Sequence, residues 1–329
     1  MKAENIRHVA AIGAGRMGRG IAHVFAFAGY HVTLADLKPR SDEEHSAILA
    51  AAREEIALNL TALAEFGAFD GALIASMMDR IRFTSNLEDL SDVDLVFEGV
   101  TETIEVKKQV FQLLSCAVGR KAIVASTTST LPVDKLAQFV AGPERFLNAH
   151  WLNPAYLIPL VEISPGSVTD DDIVKSVITI LERAGKVPVV CAPTPGYIIP
   201  RIQAVAMNEA ARMVEEGVAS AEDIDRAIRT GFGPRYATMG LLEFIDVGGG
   251  DILYHASRYL AANLGSDRYA SPQNVLDNME QARNGLRDGK GFYDFAEMDV
   301  AAYQRDQLRR FVALFRHLDL LPSPGVKFD

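Results

Sequence analysis

Short apolar runs alternate with longer stretches of helical periodicity through the first part of the chain. Val9-Ala10-Ala11-Ile12 is the first such run, and Val32-Thr33-Leu34-Ala35 is the second. Between them, Met17–Phe27 carries the spacing of a helix. An Ala-rich helical stretch extends from Asp42 to Met78, with a break near Phe66-Gly67-Ala68. Further strand-like runs lie at Ile81–Thr84, Asp94–Phe97, Ile123–Ala125, Phe146–Ala149, Leu160–Ile163 and Val187–Val190. Runs that are apolar throughout, set between helices, predict a parallel sheet covered on both faces. The pattern leaves the direction of the later strands open.

Pro193-Thr194-Pro195-Gly196 marks the best domain boundary, and the pattern beyond it is helical. Ile198, Ile202, Val205 and Met213 share one face of a helix running to about Glu216, with Gly217 as its C-cap. Ser220 and Asp223 resemble a capping box for the next helix. Gly248-Gly249-Gly250 reads as a loop, Gly289-Lys290-Gly291 as a second break, and Val300–Leu318 as a final amphipathic helix. The expected fold class is α/β: a Rossmann-type doubly wound sheet over residues 1–192, followed by an all-helical domain over residues 193–329. A helical domain of this kind is expected to pair with a second copy of itself, giving a homodimer.

The first strand, turn and helix carry candidate chemistry. Gly13-Ala14-Gly15-Arg16-Met17-Gly18 follows the strand directly, and the second strand ends in Asp36. This is the layout of a dinucleotide-binding βαβ unit. Gly13 permits a sharp turn, Gly15 lets backbone approach a pyrophosphate, and Gly18 lets helix and strand pack closely. The N–H groups at the helix start, with Met17 among the first helical residues, would face the phosphates. Asp36 would accept from a ribose diol and repel a 2′-phosphate, favouring NAD over NADP; Lys38 and Arg40 soften that repulsion.

Composition narrows the classes. Hydrophobic residues make up 49% of the 329 and charged residues 23%, enough for a sizeable core. A net charge of −10 argues against nucleic acid as a partner. No apolar run reaches membrane-spanning length, and the first strand begins too early for a signal peptide. Cys116 and Cys191 are the only cysteines, lie in apolar surroundings and have no metal-ligand spacing, so both are expected to be reduced core thiols of a cytoplasmic protein.

Polar groups then cluster at the carboxyl ends of predicted strands, where doubly wound sheets bind ligands. Ser126-Thr127-Thr128-Ser129 follows one strand and His150 ends the next. Glu162 sits inside Leu160-Val161-Glu162-Ile163, while Glu98 and Glu102 follow Leu95-Val96-Phe97. Oxidising a secondary alcohol requires a base for the hydroxyl proton, a task suited to histidine. A carboxylate such as Glu162 would hold one ring nitrogen and stabilise the imidazolium. A hydroxyl such as Ser129 would bond the substrate oxygen, although its Ser/Thr run also suits capping of a helix near Val133. Trp151 is expected to wall the site or pack in an interdomain cleft, and Met77-Met78 to sit in the core. His8, His23, His31, His45, His255 and His317 lack companions that suggest ligands.

These residues resemble the L-3-hydroxyacyl-CoA dehydrogenase superfamily. The resemblance runs through Ile12–Ala22, Glu98-Gly99-Val100-Thr101-Glu102, Ser126–Leu131, His150-Trp151-Leu152-Asn153-Pro154 and Leu160-Val161-Glu162. It continues through Thr194-Pro195-Gly196-Tyr197, Glu222–Asp225 and Gly289-Lys290-Gly291-Phe292-Tyr293. It implies His150 and Glu162 as a catalytic dyad, Ser129 on the substrate oxygen, and Glu102 and Lys107 beside the nicotinamide ribose, with Glu98 a further cofactor-site candidate. Asn153 is the candidate for a second substrate oxygen. The implied activity is NAD-dependent oxidation of a 3-hydroxyacyl substrate, with 3-hydroxybutyryl-CoA as the default and fatty acid metabolism as the setting.

Two departures from the family pattern bear on substrate. In the segment written Pro-Gly-Phe-x-x-Asn-Arg, the substrate-touching Asn is replaced by Pro200, a residue tolerated in a first helical turn. Residues 41–80 also contain no lysine, only Arg53 and Arg80, where acyl-CoA members carry a lysine-bearing hairpin for the CoA phosphate. Pro159 brings the 153–160 run closer to the gulonate dehydrogenase and λ-crystallin branch. The alternatives are therefore a free 3-hydroxy acid (gulonate-, carnitine- or diketo-acid-like), with Arg201 or Arg235 pairing its carboxylate, and a non-catalytic NADH-binding protein.

Overall fold

The computed structural model describes residues 1–321; the end of the predicted second domain, 322–329, lies outside them. Eight strands form one sheet: β1 His8–Ile12, β2 His31–Ala35, β3 Ile81–Thr84, β4 Leu95–Glu98, β5 Ile123–Ser126, β6 Phe146–Trp151, β7 Leu160–Pro165 and β8 Val187–Val190. Their order is β3-β2-β1-β4-β5-β6-β7-β8. Pairs from β3 through β6 are parallel, β7 runs antiparallel to β6, and β8 is parallel to β7. The chain reverses its direction of travel across the sheet between β1 and β4, so a crevice is expected at their carboxyl ends.

The helices of this part are α1 Arg16–Phe27, α2 Asp42–Glu65, α3 Ile74–Met78, α4 Ile104–Ala117, α5 Val133–Ala137 and α6 Asp171–Arg183. Strand side chains alternate between faces. Val9, Ala11, Leu95 and Phe97 join a cluster with Ile21 and Phe25 of α1 and Ile56 of α2. Ala10, Ile12 and Val96 face the other way, onto Phe111 and Leu114 of α4 and Leu136 of α5. Both faces are thus covered, which explains why the strands read as unbroken apolar runs. The α2 helix starts with a capping box: Glu44 N–H donates to Ser41 Oγ at 3.2 Å, and Ser41 N–H donates to Glu44 Oε2 at 3.0 Å. Met77 and Met78 are buried in the core.

Two expectations fail here. Trp151 does not wall a site: it is 2% exposed and meets Phe25 and Phe97 edge-on in the core at 6.2 and 5.4 Å. Adjacent strand residues point to opposite faces, so Trp151 goes inward where His150 does not. Cys116 is exposed rather than a core thiol, and Cys191 is half-buried. The buried stripe of α4 is Lys107, Val110, Phe111 and Leu114, and position 116 falls outside that helical face.

The chain divides into compact units at Ala206/Met207, within α7, Ile199–Glu215. The second unit continues with α8 Ala221–Ala227, α9 Gly233–Thr238, α10 Leu241–Gly248, α11 Gly250–Leu264, α12 Gln273–Glu280 and α13 Val300–His317. Gly217, with φ +69°, ends α7, with Val218 N–H donating to Met213 O at 2.9 Å. The triple glycine is the junction of α10 and α11 rather than a free loop. Residues 289–293 fold around buried Asp246, whose carboxylate accepts from Phe292 and Tyr293 N–H at 3.0 and 2.8 Å.

Candidate active site

At the carboxyl end of β1 the chain turns through Gly13, with φ +100°, into Gly15, the N-cap of α1. A Cβ on Gly13 would stand 2.9 Å from the Gly99 carbonyl, and one on Gly18 would stand 1.9 Å from the Gly13 carbonyl. Neither position admits a side chain without a shift of the backbone. Nothing lies within 4 Å of a Cβ on exposed Gly15. Met17 packs partly buried against the core, its Cβ 3.6 Å from where a Gly99 Cβ would sit. Free α1 N–H groups beside this turn suit a pyrophosphate. Asp36, at the end of β2, is buried; its Oδ2 accepts from Arg40 Nε at 2.8 Å and lies 3.5 Å from His45 Nδ1. Oδ1 makes no hydrogen bond among the described residues, so it is available to a ribose hydroxyl. His45 therefore has a companion that the sequence did not reveal.

Glu98, the last residue of β4, and Lys107 of α4 are fully buried. The ammonium donates to both Glu98 oxygens, at 2.8 and 2.9 Å, and Ser126 Oγ donates to Glu98 Oε2 at 2.6 Å. Lys107 Nζ also lies 3.5 Å from Glu102 Oε2. Glu102 Oε1 accepts from the Thr128 hydroxyl, from Ser129 N–H at 2.9 Å and from Thr130 N–H at 3.1 Å. Burial alone would raise the Glu102 carboxyl; the Thr128 hydroxyl, Lys107 and the two N–H groups hold it below its ordinary value instead. Ser129 does not cap α5, which begins after Pro132 without a side-chain cap. Its hydroxyl makes no hydrogen bond among the described residues.

His150 and Glu162 are directly opposite partners in the antiparallel β6–β7 ladder. Such pairs project to the same face. Glu162 Oε2 lies 2.7 Å from His150 Nδ1, and the carboxylate is completely buried. Its other oxygen, Oε1, accepts from Ile198 and Ile199 N–H at 2.9 and 2.8 Å, where α7 begins. The buried anion is thus satisfied by two peptides and an imidazole. Pro200 is the second residue of α7, where its missing N–H costs little. Asn153 follows β6, is exposed, and is not bonded to this cluster. Its connection is anchored from beneath by Lys186, which donates to Ala155 O and Ile158 O at 2.6 and 3.0 Å. Burial lowers the Lys186 pKa to about 8.

Residues 8–194 match the family described as 3-hydroxyacyl-CoA dehydrogenase, NAD binding domain; residues 196–295 match its C-terminal domain. The chain belongs to the 3-hydroxyacyl-CoA dehydrogenase family. As a family member it is an NAD-dependent oxidoreductase. It is 35% identical to a probable 3-hydroxybutyryl-CoA dehydrogenase of Deinococcus radiodurans, covering 86% of this chain and 98% of that one. A 5-formyl-3-hydroxy-2-methylpyridine 4-carboxylate 5-dehydrogenase of Mesorhizobium japonicum is 32% identical, over 95% and 99% of the two chains. A crystal structure of a 3-hydroxyacyl-CoA dehydrogenase from Archaeoglobus fulgidus superposes with a TM-score of 0.77 at 33% identity, covering 96% of this chain and 100% of the other.

Two residues of this dehydrogenase that the sequence did not single out stand beside the pair. Tyr197 stacks on His150, and Asn148 bonds the Tyr197 hydroxyl. A polar Asn inside the otherwise apolar run Phe146-Leu147-Asn148-Ala149 was the available signal, since a buried amide needs partners.

Proposed function

We propose that the enzyme interconverts a 3-hydroxyacyl and a 3-ketoacyl thioester, with 3-hydroxybutyryl-CoA or a close analogue as substrate. The observation that carries this reading is the His150–Glu162 pair, 2.7 Å apart and buried against the first turn of α7. NAD bound over Gly13, Gly15, Met17, Gly18 and Asp36 supplies the hydride acceptor. His150 takes the hydroxyl proton on Nε2, because Nδ1 is held by Glu162. Glu162 is fixed by the Ile198 and Ile199 peptides, and its carboxylate stabilises the imidazolium that forms. The Ser129 hydroxyl donates to the substrate oxygen, and Asn153 is assigned to the acyl carbonyl. Glu102 is assigned to the nicotinamide ribose, with Lys107 and Glu98 fixing it from below.

His150→Ala is expected to lower turnover about 10²- to 10⁴-fold with NADH affinity little changed. Near-normal turnover would remove His150 from the mechanism. A second reading, a free hydroxy acid, is favoured by the α2–α3 hairpin. It has no lysine, and its two arginines are engaged, Arg53 over the Phe83 ring at 4.7 Å and Arg80 with Ala26 O at 3.5 Å. NADH oxidation with acetoacetyl-CoA, acetoacetate and a panel of 3-keto acids decides between them: strong preference for the thioester supports the first reading, and preference for a free acid supports the second.

We further assign the protein to the cytoplasm and to a homodimer. No helix among the described residues is long and apolar enough to cross a membrane. The second unit exposes Val214, Val218, Ile252, Tyr259 and Leu308, apolar side chains that a second copy would cover. Light scattering of the purified protein measures the assembly directly, and a monomeric mass would rule the dimer out.

A further inference from the structure

We propose that Tyr197 is a positioning residue that locks Ser129, His150 and Glu162 into one frame, an inference that rests on the roles proposed above for those three. Gly196 and Tyr197 both adopt left-handed backbone, with φ +76° and +44°. Glycine does this freely, whereas a tyrosine there is strained and persists only where its surroundings hold it. The double turn swings the following peptides toward β7, and the N–H groups of Ile198 and Ile199 both reach Glu162 Oε1.

The side chain completes the frame in two directions. Its ring stacks on the His150 imidazole, with centroids 5.3 Å apart and planes inclined by 25°. Its hydroxyl donates to Thr128 O at 3.0 Å and accepts from Asn148 Nδ2 at 3.0 Å. The same Asn148 amide donates to Leu131 O at 3.0 Å. The phenol therefore bonds the peptide immediately before Ser129, and Asn148 ties down the far end of that loop. Burial raises the phenol well above its ordinary ionisation range, so it remains a donor throughout the working range.

Tyr197→Phe keeps the ring and removes only the bridge. Losing one neutral hydrogen bond of this kind predicts a fall in kcat of about 3- to 10-fold, with NADH affinity and KM for NADH unchanged. A double-mutant cycle with Ser129→Ala identifies the route. If the hydroxyl acts by placing Ser129, Tyr197→Phe has little further effect in the Ser129→Ala background. Tyr197→Leu, which also removes the stacked ring, is expected to fall further than Tyr197→Phe when turnover is normalised to NADH-binding sites. Wild-type turnover by Tyr197→Phe overturns the inference, as does the same proportional loss with and without Ser129. An inactive His150→Ala beside a fully active Tyr197→Phe rejects only this inference. A fully active His150→Ala rejects the functional reading itself.

Discussion

His23 makes the first unit sensitive to acid, and the size of the effect follows from its burial. The imidazole is 3% exposed, stacks on Tyr156 at 4.9 Å, and has no partner for Nδ1. Burial, and then the charge of Lys186, lower its pKa from 6.5 to about 4. Between those values the unfolded chain takes up a proton that the native state refuses. This contribution to stability is complete above pH 6.5, declines as the pH falls from 6.5 toward about 4, and has no further effect below that. At about 1.4 kcal/mol for each tenfold change, the difference is worth about 3 kcal/mol. That is a large share of the roughly 5–15 kcal/mol typical of a folded domain. His23→Phe preserves the stack and removes the titration. The chain has a single tryptophan, Trp151, buried in the same core, so its fluorescence in a urea titration reports this unit. Carboxylates titrate equally in both proteins and cancel in the difference. The variant should therefore gain about 2 to 3 kcal/mol relative to wild type between about pH 7.5 and about pH 4.5. A gap between the two proteins that stays constant with pH would refute the assignment of a neutral, desolvated His23.

Three further outcomes are expected. Gly18→Ala drives a methyl onto the Gly13 carbonyl, 1.9 Å away before relaxation, and should cost about 1–3 kcal/mol while displacing the phosphate turn; NADH affinity equal to wild type in a fluorescence titration would contradict this. Lys107→Met leaves the Glu98 carboxylate buried without its cation, at a cost of about 3–5 kcal/mol, and the melting temperature followed through Trp151 should fall accordingly. An unchanged melting temperature would show that the pair carries no net stabilisation. Asp36→Ala should weaken NADH binding about tenfold and narrow the preference over NADPH, because it removes the acceptor and frees Arg40 and His45; paired titrations of the two coenzymes check both effects.

The alternation of strand and helix in the first unit was readable because it is local: each strand needs only a run of apolar residues, and each helix only its periodicity and caps. The glycine turn was equally local, since Gly13, Gly15 and Gly18 act on their own strand and helix. Contacts between distant segments were not readable. Lys107 looks like a surface charge on a helix until β4 and β5 bring Glu98 and Ser126 against it. Trp151 and Cys116 are different: strand alternation sends Trp151 to the face opposite His150, and position 116 lies off the buried stripe of α4, so local periodicity accounts for both. Tyr197 reaches a carbonyl 69 positions earlier, at Thr128, and nothing in its own segment announces that bond.

The direction of β7 is a different case, for the signal was present. Parallel neighbours need a crossover of about a dozen residues or more, usually through a helix. Only residues 152–159 separate β6 from β7, and they include two prolines. That connection is too short for a crossover, so the two strands had to run antiparallel. Antiparallel pairing then sets His150 directly opposite Glu162, with both side chains on one face and Trp151 on the other. The closeness of imidazole and carboxylate is therefore a consequence of connection length and register. A one-residue slip of β7 would turn Glu162 to the opposite face, toward Trp151, and leave His150 without its anion.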